Sequence, residues 1–503
     1  MSPSTMFSTR SPRHLAALLC GLCLALAAAN LQARELTASS VHFLDGLLSQ
    51  EGVAYEDIAA KIQPQLLAEL ETSAEAAYKN GDAALVQHEV LVSLGADRGR
   101  RARQLAEKSG FGLETLQREV AAVQNRVLRA VATKERKGFK VRYRYETVSG
   151  FSAEADARAI AALALQHDVT YIETAPILQG TGMLDGNSDQ TTDTTAAHNM
   201  KATGAGVTVA VIDSGIDYTH WRLGGGSFPN SKVVGGYDFA DDDADPGIDC
   251  NSDRHGTGSA FVAAGDGGVA PDAKIVHLKT QKLADCGTLS MGYGVTGAID
   301  WAITHKATYN IGVISMSMAW SGYSIERECT SSGGWSLFRQ TLENAHQAGI
   351  VIVAASGNDG YTKGLAFPAC HEDVIGVGAV YDRKYKNTYR HSDCKDKKPK
   401  RYEVTCYSNS ATFLDILAPG TCAKAAKAGG GTLDCYSGTS AAAPFIAGVA
   451  AIVRQVNPTL TPDEVLKVMV DTGRDSTDPK NGITKPVVNS HYSALAASWW
   501  PYY

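Results

Sequence analysis

Beyond residue 200 the chain contains six near-continuous apolar segments separated by helical patterns. They are VTVAVID, AKIVHLKT, GVISMSM, IVIVAAS, DVIGVGA and LDILAPG. Apolar runs without polar alternation are typical of parallel strands that helices cover on both faces. Segments such as GYGVTGAIDWAITH and LFRQTLENAHQAG, which lie between them, have the spacing of amphipathic helices. We therefore expect an α/β fold with a doubly wound, mostly parallel sheet, whose functional groups lie at the carboxyl ends of the strands.

The region from about residue 35 to 178 has a different character. It contains no cysteine and is rich in Ala, Glu, Arg and Gln, with helical periodicity in GLETLQREVAAVQNRVLRAV and DARAIAALALQH. HEVLVSLG, the alternating stretch FKVRYRYETVSGFSAEA and VTYIET favour strands, which together predict a small β-α-β-β-α-β, ferredoxin-like α+β domain. The Gly/Ser/Thr/Asp-rich segment 180–195 is typical of a linker. After the helix TPDEVLKVMVDTG we expect only a short tail.

The N-terminus has the composition of a secretory signal. Arg10 and Arg13 precede an apolar run over residues 15–29, and small residues follow it. The run is shorter than the roughly 20 residues that span a bilayer, so a cleaved signal peptide over residues 1–33 is favoured over a membrane anchor. We therefore expect a secreted protein, without a membrane anchor.

Composition narrows the choice of partners. The chain has 503 residues and a formal net charge of −6. A nucleic-acid-binding protein would carry an excess of positive charge, so nucleic acid is not an expected partner. We expect a monomer.

The cysteines fit an oxidising compartment. Two of the ten lie in the N-terminal apolar run. Outside this run no C-x-x-C pair occurs, so the spacing of the cysteines does not indicate a zinc site. The other eight predict four disulfides, with many pairings open. The eight are Cys250, Cys286, Cys329, Cys370, Cys394, Cys406, Cys422 and Cys435. The best-supported pairs close short loops: Cys394 with Cys406, and Cys422 with Cys435.

Three residues could form a hydrolytic centre on this scaffold. Asp213 ends the first apolar strand, His255 begins a helix in HGTGSA, and Ser440 stands at the start of the helix GTSAAAPFIAGVAAIV. A serine hydroxyl becomes a good nucleophile when an imidazole takes its proton and a buried carboxylate orients that imidazole. Taken singly, Ser440 is more often an N-cap, Asp213 a turn residue and His255 a surface histidine.

The contexts IDSGID, HGTG and GTSAAAP, in the order Asp, His, Ser, resemble the subtilisin-like serine proteases over roughly residues 181–473. The resemblance implies a serine endopeptidase with the catalytic residues Asp213, His255 and Ser440. It also implies that Asn358, in the turn-like ASGNDG, donates to the oxyanion, although this asparagine could simply serve a turn.

The same resemblance implies a zymogen. Residues 34–180 resemble the inhibitory propeptide that such enzymes cut from themselves, which leaves residues 181–503 as the catalytic domain. We expect the cut between Ile177 and Asp185, with a mature start near Thr181. The alternative is an independent helical domain that persists in the mature protein.

The resemblance also suggests where substrate binds. The sequence ISMSMAWSG, which includes Trp320, departs from the family's usual Ser-Leu-Gly-Gly, and this departure implies that the distal subsites are narrower or reshaped. No acidic residue is evident at the S1 pocket, which predicts broad specificity with a preference for apolar P1 side chains. The predicted substrate-binding residues are Ser317, Met318, Ala319, Ala355, Ser356, Gly357 and Ala366.

No cofactor is expected for the chemistry. The acidic stretch 238–253 allows a structural calcium site, although a solvated acidic loop is favoured. The basic stretch 383–401 is assigned no partner.

Two alternative functions remain open. An esterase could use the same three catalytic residues, but it would normally have G-x-S-x-G around the nucleophile. A catalytically silent, peptide-binding relative would usually have lost one of the four candidate residues, and all four are present.

Overall fold

The computed structural model describes residues 59–70, 87–95, 113–132, 138–174, 179–180, 188–250, 252–282, 289–290, 292–319, 325–326, 329, 336–391 and 394–500. The signal-peptide prediction, the expected cut, Cys286 and Trp320 lie outside these residues.

The N-terminal module has the predicted β-α-β-β-α-β order. Its elements are β1 (His88–Leu94), α1 (Leu113–Ala132), β2 (Phe139–Arg144), β3 (Gly150–Ala155), α2 (Ala157–Ala164) and β4 (Val169–Thr174). The strands form one sheet in the order β2-β3-β1-β4. Apolar side chains from α1 and α2 cover one face of this sheet. The side chain of Asp156 caps α2 by accepting from the Ala159 amide at 2.8 Å.

The connecting segment is only partly the predicted linker. It contains the short strand β5 (Gln179–Gly180), followed by α3 (Asp189–Thr192) and α4 (Thr194–Asn199). The linker prediction is therefore wrong from residue 189 onward. Thr192 and Thr194 are buried, and Thr194 shares a hydrogen bond with Ser490 at 3.0 Å, so packing against the C-terminal helix orders this segment.

The large domain contains a nine-stranded sheet. Its strands are β6 (Thr208–Asp213), β7 (Val233–Asp238), β8 (Lys274–Lys279), β11 (Ile311–Met316), β13 (Val351–Ala355), β14 (Ile375–Val380), β17 (Ile416–Pro419), β20 (Arg474–Thr477) and β21 (Thr484–Val487). They lie in the order β20-β21-β17-β14-β13-β11-β6-β8-β7, and all neighbours are parallel except β20 and β21. Short hairpins and bridges add β9 (Gln281–Lys282), β10 (Leu289–Ser290), β12 (Met318–Ala319), β15 (Tyr389–His391), β16 (Cys394–Asp396), β18 (Ala423–Ala426) and β19 (Thr432–Tyr436).

Helices cover both faces of this sheet, as the apolar strands require. They are α5 (His255–Ala264), α6 (Gly292–Thr304), α7 (Lys306–Tyr309), α8 (Ser336–Gln347), α9 (Thr439–Val456), α10 (Pro462–Asp471) and α11 (Ser490–Trp499). One apolar core lies between the sheet and α5 and α9, and a second lies between the sheet and α6 and α8. The predicted doubly wound α/β fold is confirmed.

Two further comparisons with the sequence concern helices near the C-terminus. The expected short tail after α10 is wrong, because β20, β21 and α11 follow and α11 packs on α9. In the described part of the chain, α9 is the one helix long and apolar enough to cross a membrane, and 83% of it is buried, as in a core helix.

The strand order changes direction beside β6. From β6 the chain continues to β7 and β8 on one side, and later to β11, β13 and β14 on the other. Such a switch point opens a crevice at the carboxyl ends of the strands. Asp213 ends β6 and Ser317 follows β11, so both lie at this crevice.

Candidate active site

Asp213 and His255 are joined by a short hydrogen bond. Asp213 is the last residue of β6 and is fully buried, and His255 is the first residue of α5. The Nδ1 atom of His255 lies 2.6 Å from Oδ1 of Asp213, which also accepts the Ser214 amide at 2.7 Å. With Nδ1 donating to the carboxylate, Nε2 is the ring atom that can accept a proton. The structure therefore brings the predicted carboxylate and base together.

A buried network fixes the loop after Asp213 to the start of α5. Asp253 accepts the Ser214 hydroxyl at 2.6 Å and the His255 amide at 3.3 Å. Burial raises the pKa of Asp253. At Gly256 a Cβ would lie 2.2 Å from the Ser214 carbonyl oxygen, so only glycine lets the helix approach this loop.

His277 lies beneath this loop and is fully buried. Its Nε2 atom contacts the Ser214 carbonyl oxygen at 2.5 Å. Burial lowers the pKa of His277 to about 4. This imidazole is therefore neutral at neutral pH and adds no positive charge that would compete with His255 for Asp213.

Ser440 is the second residue of α9 and is fully buried. The N-cap position belongs to Gly438, which has a φ of 111° and makes no side-chain cap bond, so Ser440 is not the cap. Pro444 is the sixth residue of the helix, where it cannot donate to the Ser440 carbonyl. The Ser440 amide lies in the first turn, whose N–H groups point out of the helix end.

The amide group of Asn358 is oriented by the residue before Ser440. Its Oδ1 atom accepts the backbone N–H of Thr439 at 2.8 Å and the Thr439 hydroxyl at 3.0 Å. Because Oδ1 is the accepting end, Nδ2 is the end that can donate to a ligand. Thr439 also accepts the Gly357 amide at 3.3 Å, which joins the segment after β13 to the start of α9.

Asn409 holds the same segment from the other side. Its buried side chain accepts the amides of Asp359 at 3.1 Å and Tyr361 at 3.0 Å, and donates to the Asp359 carboxylate at 3.2 Å. Its backbone amide donates to the Gly357 carbonyl at 3.0 Å. Gly357 has a φ of +102°, and a Cβ there would lie 2.3 Å from Nδ2 of Asn409. Asn409 thus forms hydrogen bonds to the residues on both sides of Asn358, Gly357 and Asp359.

Tyr436 contacts the other side of the imidazole. Its buried ring packs edge-on against His255 with centroids 5.4 Å apart, and its hydroxyl lies 3.5 Å from Nε2. The hydroxyl also hydrogen-bonds to Ser259. A Cβ on Gly258 would lie 3.2 Å from the ring, so the glycine leaves room for it.

The strand β12 carries two of the predicted substrate-binding residues, and it is paired with the connecting segment. Met318 lies opposite Gly180 and Ala319 opposite Gln179 in an antiparallel bridge. Because the pairing is antiparallel, the carboxyl end of β5 lies on the side of β12 that is next to Ser317. Ser317 follows β11, which lies between β6 and β13.

The predicted S1 residues lie together at the end of β13 and just beyond it. All four are buried: Ala355, Ser356, Gly357 and Ala366. The Ala366 amide donates to the Ser356 carbonyl at 3.0 Å. Ala366 lies against Gly357, where an added Cβ would be 3.1 Å away. All four residues are small, and the apolar P1 preference stays a prediction.

Comparison with known proteins decides the family. The profile described as "Subtilase family" matches residues 204–490, which is more than half of the 503-residue chain. The chain belongs to the subtilase family. This range contains Asp213, His255, Asn358 and Ser440.

Individual relatives agree with this assignment. Subtilisin E of Bacillus subtilis (strain 168) is 30% identical over 338 residues, covering 65% of this subtilase and 76% of that protein. A thermophilic serine proteinase of Bacillus sp. (strain AK1) is 34% identical over 277 residues, covering 52% and 56% of the two chains. Alkaline serine exoprotease A of Vibrio alginolyticus is 28% identical over 356 residues, covering 67% and 58%.

Among solved structures, a cold adapted subtilisin-like serine proteinase is 27% identical, covers 57% of this chain and 90% of its own, and gives a TM-score of 0.45. The family profile and the subtilisins identify this subtilase as a serine endopeptidase.

Three disulfides occur in the described part of this subtilase. They join Cys394 to Cys406 and Cys422 to Cys435, as predicted, and Cys329 to Cys370. Disulfides of this kind fit an extracellular protein. The fourth predicted pair involves Cys286, which lies outside the described residues.

The acidic stretch 238–253 is organised around a lysine. The ammonium of Lys279, which is buried, lies 2.7 Å from Asp238, 2.6 Å from Asp249 and 4.0 Å from Asp241. Burial alone would lower the pKa of Lys279, but hydrogen bonds to Asp238 and Asp249 outweigh it, so the pKa is raised. The three carboxylates that could hold an ion therefore already neutralise a cation. Structural calcium in this stretch stays a prediction, which a calcium titration would test.

Sequence reasoning found Asp213, His255, Asn358 and Ser440 but not their supporting residues. Asn409 and Tyr436 were missed because each acts across a long sequence separation, 50 residues to Asp359 and 181 residues to His255. The only local signals were Gly357 and Gly258, which make room for these two side chains.

Proposed function

We propose that this subtilase is a secreted endopeptidase that is made as a zymogen and cuts its own N-terminal module away. The observation that carries the proposal is the pairing of β5 with β12, because residues 179–180 of the connecting segment lie beside a strand that contains two predicted substrate-binding residues. An extended peptide that adds a strand to such an edge is a recurring mode of peptide recognition.

The proposed chemistry begins with proton transfer from the Ser440 hydroxyl to Nε2 of His255. As the proton leaves, Oγ of Ser440 forms a bond to the carbonyl carbon of the substrate, and the imidazolium is stabilised by Asp213 through the 2.6 Å hydrogen bond. The tetrahedral intermediate collapses when Nε2 returns the proton to the leaving amine, which breaks the C–N bond. Water then attacks the acyl-enzyme with the same base, releases the acid and restores Ser440.

The developing oxyanion requires donors that are already oriented. The hydrogen bonds from Thr439 fix the amide of Asn358 so that Nδ2 can donate, and the Ser440 backbone N–H in the first turn of α9 would be the second donor. Donors fixed in advance need not reorganise when the charge forms, which is why they stabilise the transition state more than the bound substrate.

The N-terminal module, residues 34–180, is proposed as the inhibitor. Asp300 of α6 is fully buried beneath it and accepts the amides of Glu146 at 2.7 Å and Thr147 at 2.9 Å, and the Thr147 hydroxyl at 2.5 Å. Asn344 of α8 donates to the Thr147 carbonyl at 3.1 Å. Asp300 and Asn344 of the large domain thus form hydrogen bonds to the turn between β2 and β3.

Apolar contacts surround these hydrogen bonds. Leu91, Tyr145 and Val148 of the module form a buried cluster with Leu337 of α8. A Cβ at Gly150 would lie 2.7 Å from the Leu337 side chain, so the module and the helix approach closely there. The module is therefore held against the outer face of α6 and α8 while its C-terminal end enters the crevice.

The pairing register indicates where the chain is cut. Gly180 lies opposite Met318, and Ser317, which precedes Met318, follows the strand between β6 and β13. We expect cleavage within the few residues after Gly180, at the C-terminal part of the interval from Ile177 to Asp185. An intramolecular substrate reacts at an effective concentration that no external peptide reaches.

N-terminal sequencing of the mature enzyme tests this proposal. A first residue between 181 and 185 is expected, together with a released fragment that begins near residue 34. A mature chain that starts before Phe139 would contradict the zymogen proposal, because β3, α2 and β4 of the module would then remain attached.

The P1 preference is proposed from the S1 residues. Small side chains at Ala355 and Ala366, with no acidic group among the residues predicted to form S1, favour apolar P1 side chains. A series of peptides that differ in P1 should give higher kcat/KM for Phe, Leu and Met than for Lys, Arg or Asp. A preference for Lys or Arg would contradict it.

Secretion is proposed from the N-terminal sequence and the three disulfides. Expression of the full chain should release enzyme into the medium, and deletion of residues 1–33 should retain it inside the cell. Export that continues after this deletion would contradict the proposal.

A further inference from the structure

A basic hairpin, residues 383–401, lies in the catalytic domain and is not explained by the chemistry above. Nine of its 19 residues are Lys or Arg and two are Asp, in a chain whose net charge is −6. It follows β14, contains β15 and β16, and is fixed by the disulfide from Cys394 to Cys406. The hairpin is therefore a fixed structural feature that carries a strong local charge.

Most of its cations have no ion-pair partner among the described residues, whereas Arg383 lies 3.6 Å from Asp382. Seven of them are exposed and form no ion pair within the part of the chain that the structure describes: Lys384, Lys386, Arg390, Lys395, Lys397, Lys398 and Lys400. The carboxylate of Asp396 instead accepts the Tyr381 hydroxyl at 2.6 Å and the Cys406 amide at 2.8 Å. The hairpin therefore presents uncompensated positive charge, which attracts anionic groups.

The hairpin is anchored close to the nucleophile. The Tyr389 hydroxyl of β15 lies 3.1 Å from the hydroxyl of Ser437. Ser437 precedes Ser440 by three positions in the sequence. Three residues span at most about 11 Å, so the first strand of the hairpin lies near the reacting serine.

The chain that leaves the crevice reaches the base of this hairpin. After β5 ends at Gly180, the described chain resumes at residue 188. Arg401 donates to the Gln190 side chain at 2.9 Å, and the Thr191 hydroxyl donates to the Asp382 carbonyl at 2.8 Å. Asp382 directly precedes the hairpin, and Arg401 is its last residue. The stretch from Gly180 to Gln190 of the precursor's own chain thus connects β12 to the base of the hairpin.

The sequence of this stretch agrees with the charge of the hairpin. Residues 181–189 read TGMLDGNSD, which contains two acidic residues, Asp185 and Asp189, and no basic one. A polypeptide substrate that runs in the direction of β5 and continues toward the position of Gln190 would place its residues beyond the scissile bond beside the hairpin.

We propose that the basic hairpin binds acidic segments of polypeptide substrates on the C-terminal side of the scissile bond. At about 3.3 Å per extended residue, the third to sixth residues after that bond can reach it. This inference rests on the proposed function, because the direction of the substrate is taken from the precursor's own chain. It names the substrate class as polypeptides with acidic residues downstream of the cut.

Surface charge pairs are individually weak, each changing affinity about twofold, so three new pairs give about tenfold. Such pairs are screened by salt, because charges beyond about 10 Å no longer interact strongly at 0.1 M ionic strength. The preference should therefore act mainly on KM and should weaken as salt is added.

The test compares fluorescence-quenched peptides that are identical up to the first residue after the cut. One has Asp and Glu at the third to sixth positions, a second has Asn and Gln there, and a third has the acidic residues at matching positions upstream. The mature enzyme is expected to cleave the downstream-acidic peptide with about tenfold higher kcat/KM than the neutral one at low salt, falling toward equality at 0.5 M salt.

Two variants of equal charge locate the effect. Lys384→Gln/Lys386→Gln/Arg390→Gln should lose the preference and retain cleavage of the neutral peptide. Lys201→Gln/Lys274→Gln/Lys467→Gln removes three exposed cations elsewhere, since Lys274 begins β8 at the opposite end of the strands from the crevice, and it should retain the preference.

Several outcomes would overturn the inference: no preference in the wild-type enzyme, equal loss in both variants, or preference for the upstream-acidic peptide. Binding of DNA by the wild type that is lost in the hairpin variant, without any peptide preference, would assign the hairpin to nucleic acid instead. Cleavage of the neutral peptide and the sequenced mature N-terminus report on the proposed function separately, so the two failures are distinguishable.

Discussion

The two main sheets of this molecule are stabilised in different ways. The nine-stranded sheet has an apolar core on each face, and all buried members of both cores belong to its own domain. The four-stranded N-terminal sheet has its own core on one face, formed with α1 and α2, but Leu91 on its other face is buried against Leu337 of α8. In the other direction, the module contributes Tyr143, which is only partly buried and packs on Phe239 at the edge of the second core. This difference suits a segment that is to be removed, because its loss takes no buried member from either core of the enzyme.

Apart from loss of the nucleophile, the largest expected effect tests the role of Asp213, a buried group of the large domain. Asp213→Asn keeps the shape of the side chain but can no longer hold the correct tautomer of His255. In Ser-His-Asp hydrolases this change lowers kcat by about 10⁴, and we expect a similar loss here. Steady-state kinetics of the mature enzyme would measure it, and a melting temperature near that of the wild type would exclude misfolding. A change confined to KM would contradict the assigned role.

A smaller loss is expected for Asn358→Ala. About 10² to 10³ in kcat should be lost with KM little changed, because the amide donates mainly in the transition state; this magnitude is the one measured in subtilisin, a relative of this chain. Loss of KM with kcat preserved would remove Asn358 from the oxyanion site.

Asn409→Ala should reduce kcat about fivefold to thirtyfold by releasing the segment that carries Asn358, since loss of a positioning bond costs about one to two kcal/mol. The decisive readout is a double-mutant cycle, in which Asn409→Ala should cost almost nothing further in an Asn358→Ala background. Full additivity would indicate that Asn409 is only structural.

Exchanging the amide and the carboxylate between positions 409 and 359 makes the test of Asn409 more specific. Asn409→Asp should be impaired, because it places two carboxylates together where Nδ2 now donates to Asp359 at 3.2 Å. Adding Asp359→Asn should recover activity by exchanging donor and acceptor. If the double variant is no better than Asn409→Asp, the hydrogen bond between these two side chains does not position the segment.

The smallest effect concerns the interface between the two sheets. Burial raises the pKa of Asp300 from 3.8 to about 6, against the hydrogen bonds from Thr147 and Glu146. A carboxyl that binds its proton more tightly in the complex favours the complex at low pH, and this contribution fades as pH rises through 6. By linkage, the N-terminal segment should inhibit the mature enzyme about tenfold more tightly at pH 5 than at pH 7.5.

Asp300→Asn provides the control for this pH dependence, since the amide cannot titrate. Its inhibition constant should be nearly constant over the same range. An unchanged pH dependence in the variant would mean that another group at the interface titrates.

Much of the large domain could be predicted because most of its strands are near-continuous apolar runs in the sequence. Each of the six apolar runs forms a strand, and the residues at their ends are those that meet in the crevice. The strand β7, VVGGYD, was missed because glycines interrupt its apolar pattern. The strands β20 and β21, at the edge of the sheet and next to it, were missed because they are short and mostly polar. The helices α3 and α4 were missed because packing against α11, far away in sequence, orders a segment whose composition is that of a linker.

The site was predictable where residues act through local motifs and not where they act through distant contacts. Asp213 and His255 lie at a strand end and a helix start, which sequence patterns reveal. Tyr436 is 181 residues away from His255 in the sequence, and no sequence motif indicates their contact. The acidic stretch suggested an ion or solvent, whereas Lys279, which lies outside it, occupies its centre.

The most direct test of the zymogen proposal is the fate of the Ser440→Ala precursor, purified without any other protease. In subtilisin, loss of the nucleophile lowers kcat by about 10⁶, so self-cleavage should effectively cease. We expect the variant to remain a single uncut chain from near residue 34, while the wild type, expressed and purified in the same way, yields a mature chain that begins between residues 181 and 185. Normal processing of purified Ser440→Ala would contradict self-cleavage by Ser440.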